Sequence, residues 1–249
     1  MGQALDIAAP PAKFGRMEKV IITLRSGSAD DDWAQRLRGP IADQLLALDV
    51  PGLTINVRDA DVRDALMTLT TLDPPVQGFV TLWTQQYYGE QVRAALDLLA
   101  RHADQVAPYL VTESAPMPAP VTAPGQRTAA LANMALLRRP ADMDEPTWLT
   151  RWHGNHTQVA IDTQSTFGYI QNYVVRALTP DAPVVNAIVE ELFPNEAVGS
   201  LHAFFGAADD DDLRDRMEQM VASTAAFGAN VNIDAVPTSR YLFRSPFRD

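Results

Sequence analysis

Two rhythms of apolar and polar positions run along this chain, and the places where one gives way to the other mark its elements. Lys19–Arg25 (KVIITLR) is a short β-branched run and predicts a strand. Behind it, Asp30–Asp32 can cap a helix on which Trp33, Leu37, Ile41, Leu45 and Leu48 recur at helical spacing. Pro51-Gly52 ends that helix, and Leu53–Arg58 reads as a second strand. Asp59–Leu72 is expected to be a helical excursion closed by Asp73-Pro74-Pro75. A strand over Gln77–Thr84, an amphipathic helix over Glu90–Ala103 and a strand over Tyr109–Glu113 complete the order βαββαβ.

Four prolines in the eleven residues Ala115–Gly125 predict a stiff, extended spacer. Beyond it the order recurs. A strand is expected over Ala129–Arg138, a helix over Asp144–Thr163 and a strand over Thr166–Val175. A short helical insertion follows over Ala182–Leu192, ended by Pro194, and then a strand over Gly199–Gly206. A helix over Asp209–Ala226 and a last strand over Asn230–Val236 close the run, with the tail RYLFRSPFRD lying over the other half. Letters repeat as well: Gly52–Asn56 lines up with Gly168–Asn172, and Tyr109–Glu113 with Val231–Ala235. The division expected is an N-terminal extension at 1–16, a first half at 17–114, a linker at 115–125 and a second half at 126–249. The fold class expected is α+β: two tandem ferredoxin-like βαββαβ halves with antiparallel sheets. Each such sheet covers one face with helices and leaves the other bare, so packing the bare faces together forms a barrel-like core.

Composition narrows the functions. Hydrophobic residues make up 47% of the 249 positions, ample for a packed core, while a net charge of −11 argues against nucleic acid and anionic membrane surfaces. No apolar run reaches the length of a membrane span, and the first 16 residues lack a signal-peptide core. A cytoplasmic location is expected. The absence of cysteine removes disulfides, thiolate zinc sites and thiol nucleophiles. Arginine supplies nearly all the positive charge, Lys13 and Lys19 being the only lysines, and alanine is abundant, as in bacterial chains from GC-rich genomes.

The richest chemistry lies between Thr147 and Val175. Trp152 and His156 stand four apart and share a helix face, with His153 between them. An imidazole there serves either as a packed residue or as an acid/base group. No acidic residue or third histidine stands close by in sequence, so no metal and no cofactor is expected. Alternation on the following strand sets Tyr169, Gln171 and Tyr173 on one face and Ile170, Asn172 and Val174 on the other. The Tyr-Gln-Tyr face either lines a cavity between the sheets or plugs it. His202 is read as packing or interface rather than catalytic, and Asp209–Asp212 as a helix cap rather than a metal loop. Nucleophile elbows, phosphate loops and dinucleotide fingerprints are absent from the sequence.

The helix carrying Trp152-x-x-x-His156, followed by Tyr169-Ile170-Gln171-Asn172-Tyr173, resembles the EthD-like proteins of the dimeric α/β-barrel superfamily. Leu137–Pro140 and Trp148-Leu149 are similar to that family's first strand and helix entry. The resemblance covers the second half best; the first has Leu37 or Arg38 in place of the histidine and Leu53 and Ile55 in place of Tyr169 and Gln171, and only Asn56 mirrors Asn172. It implies a barrel of two ferredoxin-like units, a small and mostly apolar carbonyl or aromatic partner, and cofactor-independent proton transfer such as cyclisation, isomerisation or elimination. His156 would be catalytic, with Trp152, Tyr169, Gln171, Asn172 and Tyr173 binding substrate. A non-catalytic ligand-binding or assembly protein is the alternative, and a monooxygenase or haem-binding protein the third. A homo-oligomer is expected.

Overall fold

The computed structural model describes residues 17–247; the N-terminal extension expected at 1–16 lies outside the described residues. Eight antiparallel strands close into one barrel within the chain, in the order β1-β3-β2-β8-β5-β7-β6-β4. The strands are β1 (Glu18–Arg25), β2 (Gly52–Val57), β3 (Val76–Thr84), β4 (Gln105–Met117), β5 (Leu131–Leu137), β6 (Gly168–Ala177), β7 (Ala187–Phe193) and β8 (Asp234–Arg244). The first four lie in the order β4-β1-β3-β2 and the last four in the order β8-β5-β7-β6, the same arrangement position by position. Two seams join them: β2 pairs with β8, and β4 pairs with β6.

Each strand has two buried faces, which explains the near-continuous apolar runs in the sequence. One face looks into the lumen, where Ile21, Phe79, Tyr109, Met134, Leu136, Ile188 and Val236 form a single cluster drawn from both sets of strands. Burying a Phe79-sized side chain there stabilises the barrel by about 2–3 kcal/mol. The other face carries the helices. Over the first four strands, α1 (Asp31–Arg36) and α2 (Ala42–Ala47) flank a wide π turn at Leu37–Ile41, where Gly39 breaks the helical backbone and Pro40 has no N–H to donate. Asp30 caps this helix by accepting from the Trp33 amide at 2.8 Å. Trp33, Leu37 and Leu45 pack with Val20, Ile55 and Leu82 and with α3 (Glu90–Leu99). Over the last four strands, α4 (Glu145–Leu149), a π turn at Thr150–His156 and α5 (Thr157–Thr163) repeat the pattern. They are joined by α6 (Leu201–Phe205) and α7 (Asp210–Ala226).

Several expectations need correction. Asp59–Leu72 holds no helix; its far end is tied down as extended chain by an antiparallel bridge from Leu69 to Ala235, and Asp234 accepts from Thr71 and Leu72. The insertion expected to be helical at Ala182–Leu192 is largely β7, a central strand with both faces buried. The strand expected at Gly199–Gly206 is instead the single-turn α6. Ser200 caps it at the start, and Gly206, at a left-handed φ of 63°, ends it. The last strand begins at Asp234, and the residues expected to form a tail, through Arg244, are its second part. The spacer expected at Ala115–Gly125 is not all linker, since β4 runs to Met117 and pairs there with Tyr169, and a turn follows at 124–125. Among the described residues no helix is long and apolar enough to cross a membrane.

Candidate active site

Asp144 accepts from the Thr147 amide at 2.9 Å and starts α4. From that start, Trp148 and Trp152 come four apart onto the sheet side, fully buried with ring centroids 5.1 Å apart. His156 closes the π turn. It is buried, its ring lies 4.7 Å from that of Phe227, and its Nδ1 is 2.9 Å from Ser223 Oγ on α7. Burial lowers its pKa from 6.5 to about 4, so at neutral pH the imidazole is uncharged.

Beneath these helices the strand register builds a polar row. Tyr169 on β6 stands directly opposite Glu191 on β7, and Glu191 directly opposite Asn133 on β5. All three are buried. Burial raises the Glu191 carboxyl from 4.5 to about 7, opposed in small part by the Asn133 Nδ2–H donated to it at 3.4 Å. Burial also pushes the Tyr169 phenol upward, and the Glu191 carboxylate adds to that. The row floors a cavity of about 310 Å³ roofed by α7, with Phe204, Phe205, Met217, Met220 and Phe227 as apolar walls. His156 and Gln164 also line it. Asn133 Oδ1 and Gln164 Oε1 are buried with no hydrogen-bond partner among the described residues. A ligand donor entering the cavity would satisfy them.

The six residues singled out from the sequence separate into four environments. His156 and Tyr169 share the cavity. Trp152 and Gln171 lie behind it: Trp152 packs against Trp148, and Gln171 Nε2 donates to Thr157 Oγ1 at 2.8 Å, fixing the start of α5 to the sheet. Tyr173 is half-buried and lies outside the cavity's lining, its hydroxyl donating to Glu145 at 2.7 Å. Asn172 points the other way, into the lumen, where its Oδ1 accepts from Lys19 at 2.7 Å and its Nδ2 donates to the Ile188 carbonyl at 2.9 Å. The Tyr169-Gln171-Tyr173 face thus lies under the helices and not between the sheets. Asn133 and Glu191 went unforeseen. Their signal was Glu190-Glu191 inside the apolar run AIVEELF, a solvated face if helical but two opposite buried faces if extended.

Among the described residues no group of three or more histidine or acidic side chains is placed to hold a metal. The arrangement instead offers a neutral imidazole, a carboxyl poised near neutrality and a phenol around an apolar space, a set suited to moving a proton on a small molecule.

Fold and site together define an α+β barrel with a cavity of about 310 Å³ between helix layer and sheet. No protein-family model matches the sequence, and no curated protein matches it. Among solved structures, an anthrone oxidase-like protein superposes with a TM-score of 0.52 at 8% identity, over 92% of this chain and 95% of that one. A protein from Lactobacillus acidophilus proposed to be a monooxygenase gives 0.48 at 10% identity, over 92% and 96%. A chlorite dismutase variant from Candidatus Nitrospira defluvii gives 0.44 at 11% identity, over 92% of each chain. The fold is what this chain has in common with the anthrone oxidase-like protein.

Proposed function

We propose that this chain binds a small, mostly apolar carbonyl or aromatic compound under α7 and moves a proton on it without a cofactor. The observation that carries this reading is Glu191, a buried carboxyl with a pKa near 7 on the floor of an apolar cavity it shares with His156 and Tyr169. A base is most effective when its pKa lies near the working pH. Glu191 therefore takes the proton, while His156, whose conjugate acid forms only near pH 4, acts as a neutral hydrogen-bonding partner to the substrate oxygen together with Tyr169. Trp152 and Gln171 position these groups and touch no substrate.

The matching strand order of the two sets of four supports reading them as duplicated ferredoxin-like halves, the first degenerate and the second EthD-like through Trp152, His156 and Tyr169–Tyr173. Helix-side positions of β2 are Leu53, Ile55 and Val57, all fully buried, and leave the first half without comparable polar groups. Since the barrel closes within the chain, homo-oligomers, if formed, would use outer surfaces.

A second reading is oxidation of an aromatic ketone, favoured by the anthrone oxidase-like neighbour. Haem fits the cavity less well, because among the described residues no arginine or lysine lines it to pair with the haem's two carboxylates.

The test uses anthrone and the smaller ketone 1-tetralone. Native mass spectrometry reads binding, and NMR in D2O reads exchange of the acidic C–H protons, those beside the carbonyl in 1-tetralone and those of the ring methylene opposite the carbonyl in anthrone. The expected result is binding with exchange that falls about 100-fold or more in Glu191→Gln. Binding without exchange would favour the non-catalytic alternative. Product formation that consumes O2 would favour the oxidase reading. Absence of binding would sink all three.

A further inference from the structure

A second cavity, of about 330 Å³, opens at the end of the lumen opposite the Asp234–Arg138 pair. Its apolar walls include Trp83 on β3 and Leu242 on β8, and Pro118, Pro120 and Phe247 from the segments after β4 and β8 lie over it. The base is charged but balanced. Lys19 is paired with Glu113 and lies 4.9 Å over the Trp83 ring. Arg240 Nε lies 3.1 Å from Glu190, which also accepts from Asn56 at 2.8 Å.

Two polar groups at this base are left over. Arg240 is 8% exposed and its Nε–H, though close to Glu190, has no acceptor in hydrogen-bonding geometry among the described residues. Thr54 is 2% exposed and its hydroxyl has no partner among the described residues at all. Leaving such groups buried without a partner is destabilising, because their hydration is lost with nothing in exchange. An entering oxygen removes that cost. Two cations and two carboxylates already offset each other, so a ligand with a net charge would face an unbalanced, poorly solvated site.

We propose that this lumen cavity is a second binding site, for a small uncharged molecule with a ring-like apolar body and a carbonyl or amide oxygen. The oxygen accepts from Arg240 Nε and Thr54, and the ring lies between Trp83 and the proline segment. This site is separate from the cavity under α7, and neither proposal depends on the other.

Benzamide is the probe, with benzoate and benzylammonium as its charged counterparts. In the full-length protein, the Trp83 indole N–H reports on the lumen cavity, and the Met217 and Met220 methyls report on the cavity under α7. Benzamide is expected to shift the Trp83 signal while the two methyls stay in place, with both charged analogues at least tenfold weaker. Thr54→Val is expected to weaken benzamide about fivefold, the loss of one hydrogen bond, and Thr54→Ser to retain it. A Trp83 signal unmoved up to the solubility limit, benzoate binding as well as benzamide, or Thr54→Val binding like the parent would each overturn the proposal.

Discussion

Replacing Glu191 by glutamine keeps the side chain's shape and removes its charge, and the outcome depends strongly on pH. In the folded chain the carboxyl titrates near 7, in the unfolded chain near 4.5. Between those values the native state holds more protons than the unfolded state, so stability falls as pH rises through that window and is level above it. The raise corresponds to about 3 kcal/mol. His156 works in the opposite sense. Its pKa is depressed from 6.5 to about 4, so its contribution is full above 6.5 and is lost as pH falls towards 4, again by about 3 kcal/mol. From pH 4.5 to 6.5 the two slopes nearly cancel in the parent protein. Glu191→Gln removes only the first, so the variant gains about 3 kcal/mol over the parent between pH 4.5 and pH 8. For a chain of this size that is a rise in Tm of about 6–12 °C at pH 8. Urea unfolding of both proteins at pH 4.5, 6 and 8 measures the difference, and carboxyl NMR of the folded protein reads the Glu191 titration directly. A difference between variant and parent that stays constant across this range, or a carboxyl titrating near 4.5, would refute the reasoning.

Two further outcomes follow from packing. Asp59 is buried and accepts from Arg38 and Ser239 at 2.8 Å and from Tyr241 at 3.2 Å, tying the π turn of the first helix to β8, so Asp59→Ala should lose about 2–4 kcal/mol in urea unfolding. Gly228 has φ of 79° and an added Cβ would overlap the Pro140 ring, whereas nothing lies within 4 Å of a Cβ added at Gly154; Gly228→Ala should cost about 2 kcal/mol or more and Gly154→Ala nothing or a slight gain, read as paired shifts in Tm.

The elements that could be read from the letters are those whose pattern is one-sided or capped. Asp30 and Asp144 announce their helices, and the Trp33–Leu45 spacing survives even across the Gly39-Pro40 break. β7 escaped because a strand buried on both faces loses its alternation, and paired glutamates within it mimic an exposed helix face. α6 escaped because Leu-His-Ala-Phe-Phe has strand-like composition, and only its caps, Ser200 and Gly206, mark a helix. The candidate site was half legible. Alternation correctly separated Tyr169 and Gln171 from Asn172, but which face met the helices depends on barrel closure, a long-range fact that no local window contains. Asn133 and Glu191 meet Tyr169 only through strand register, across 36 and 22 positions of sequence.

Closing the barrel inside one polypeptide also changes what a mutation does. In a ring made from two identical protomers every substitution lands twice, so a change that improves one concavity is imposed on its twin, and any damage is doubled. Here position 55 can be isoleucine while its counterpart 171 is glutamine, and each can be altered alone. On the proposed function, one side can serve rigidity alone while the other carries the cavity under α7 at single dosage. A peptide connection of a few prolines thus turns a symmetric constraint into an opportunity for division of labour.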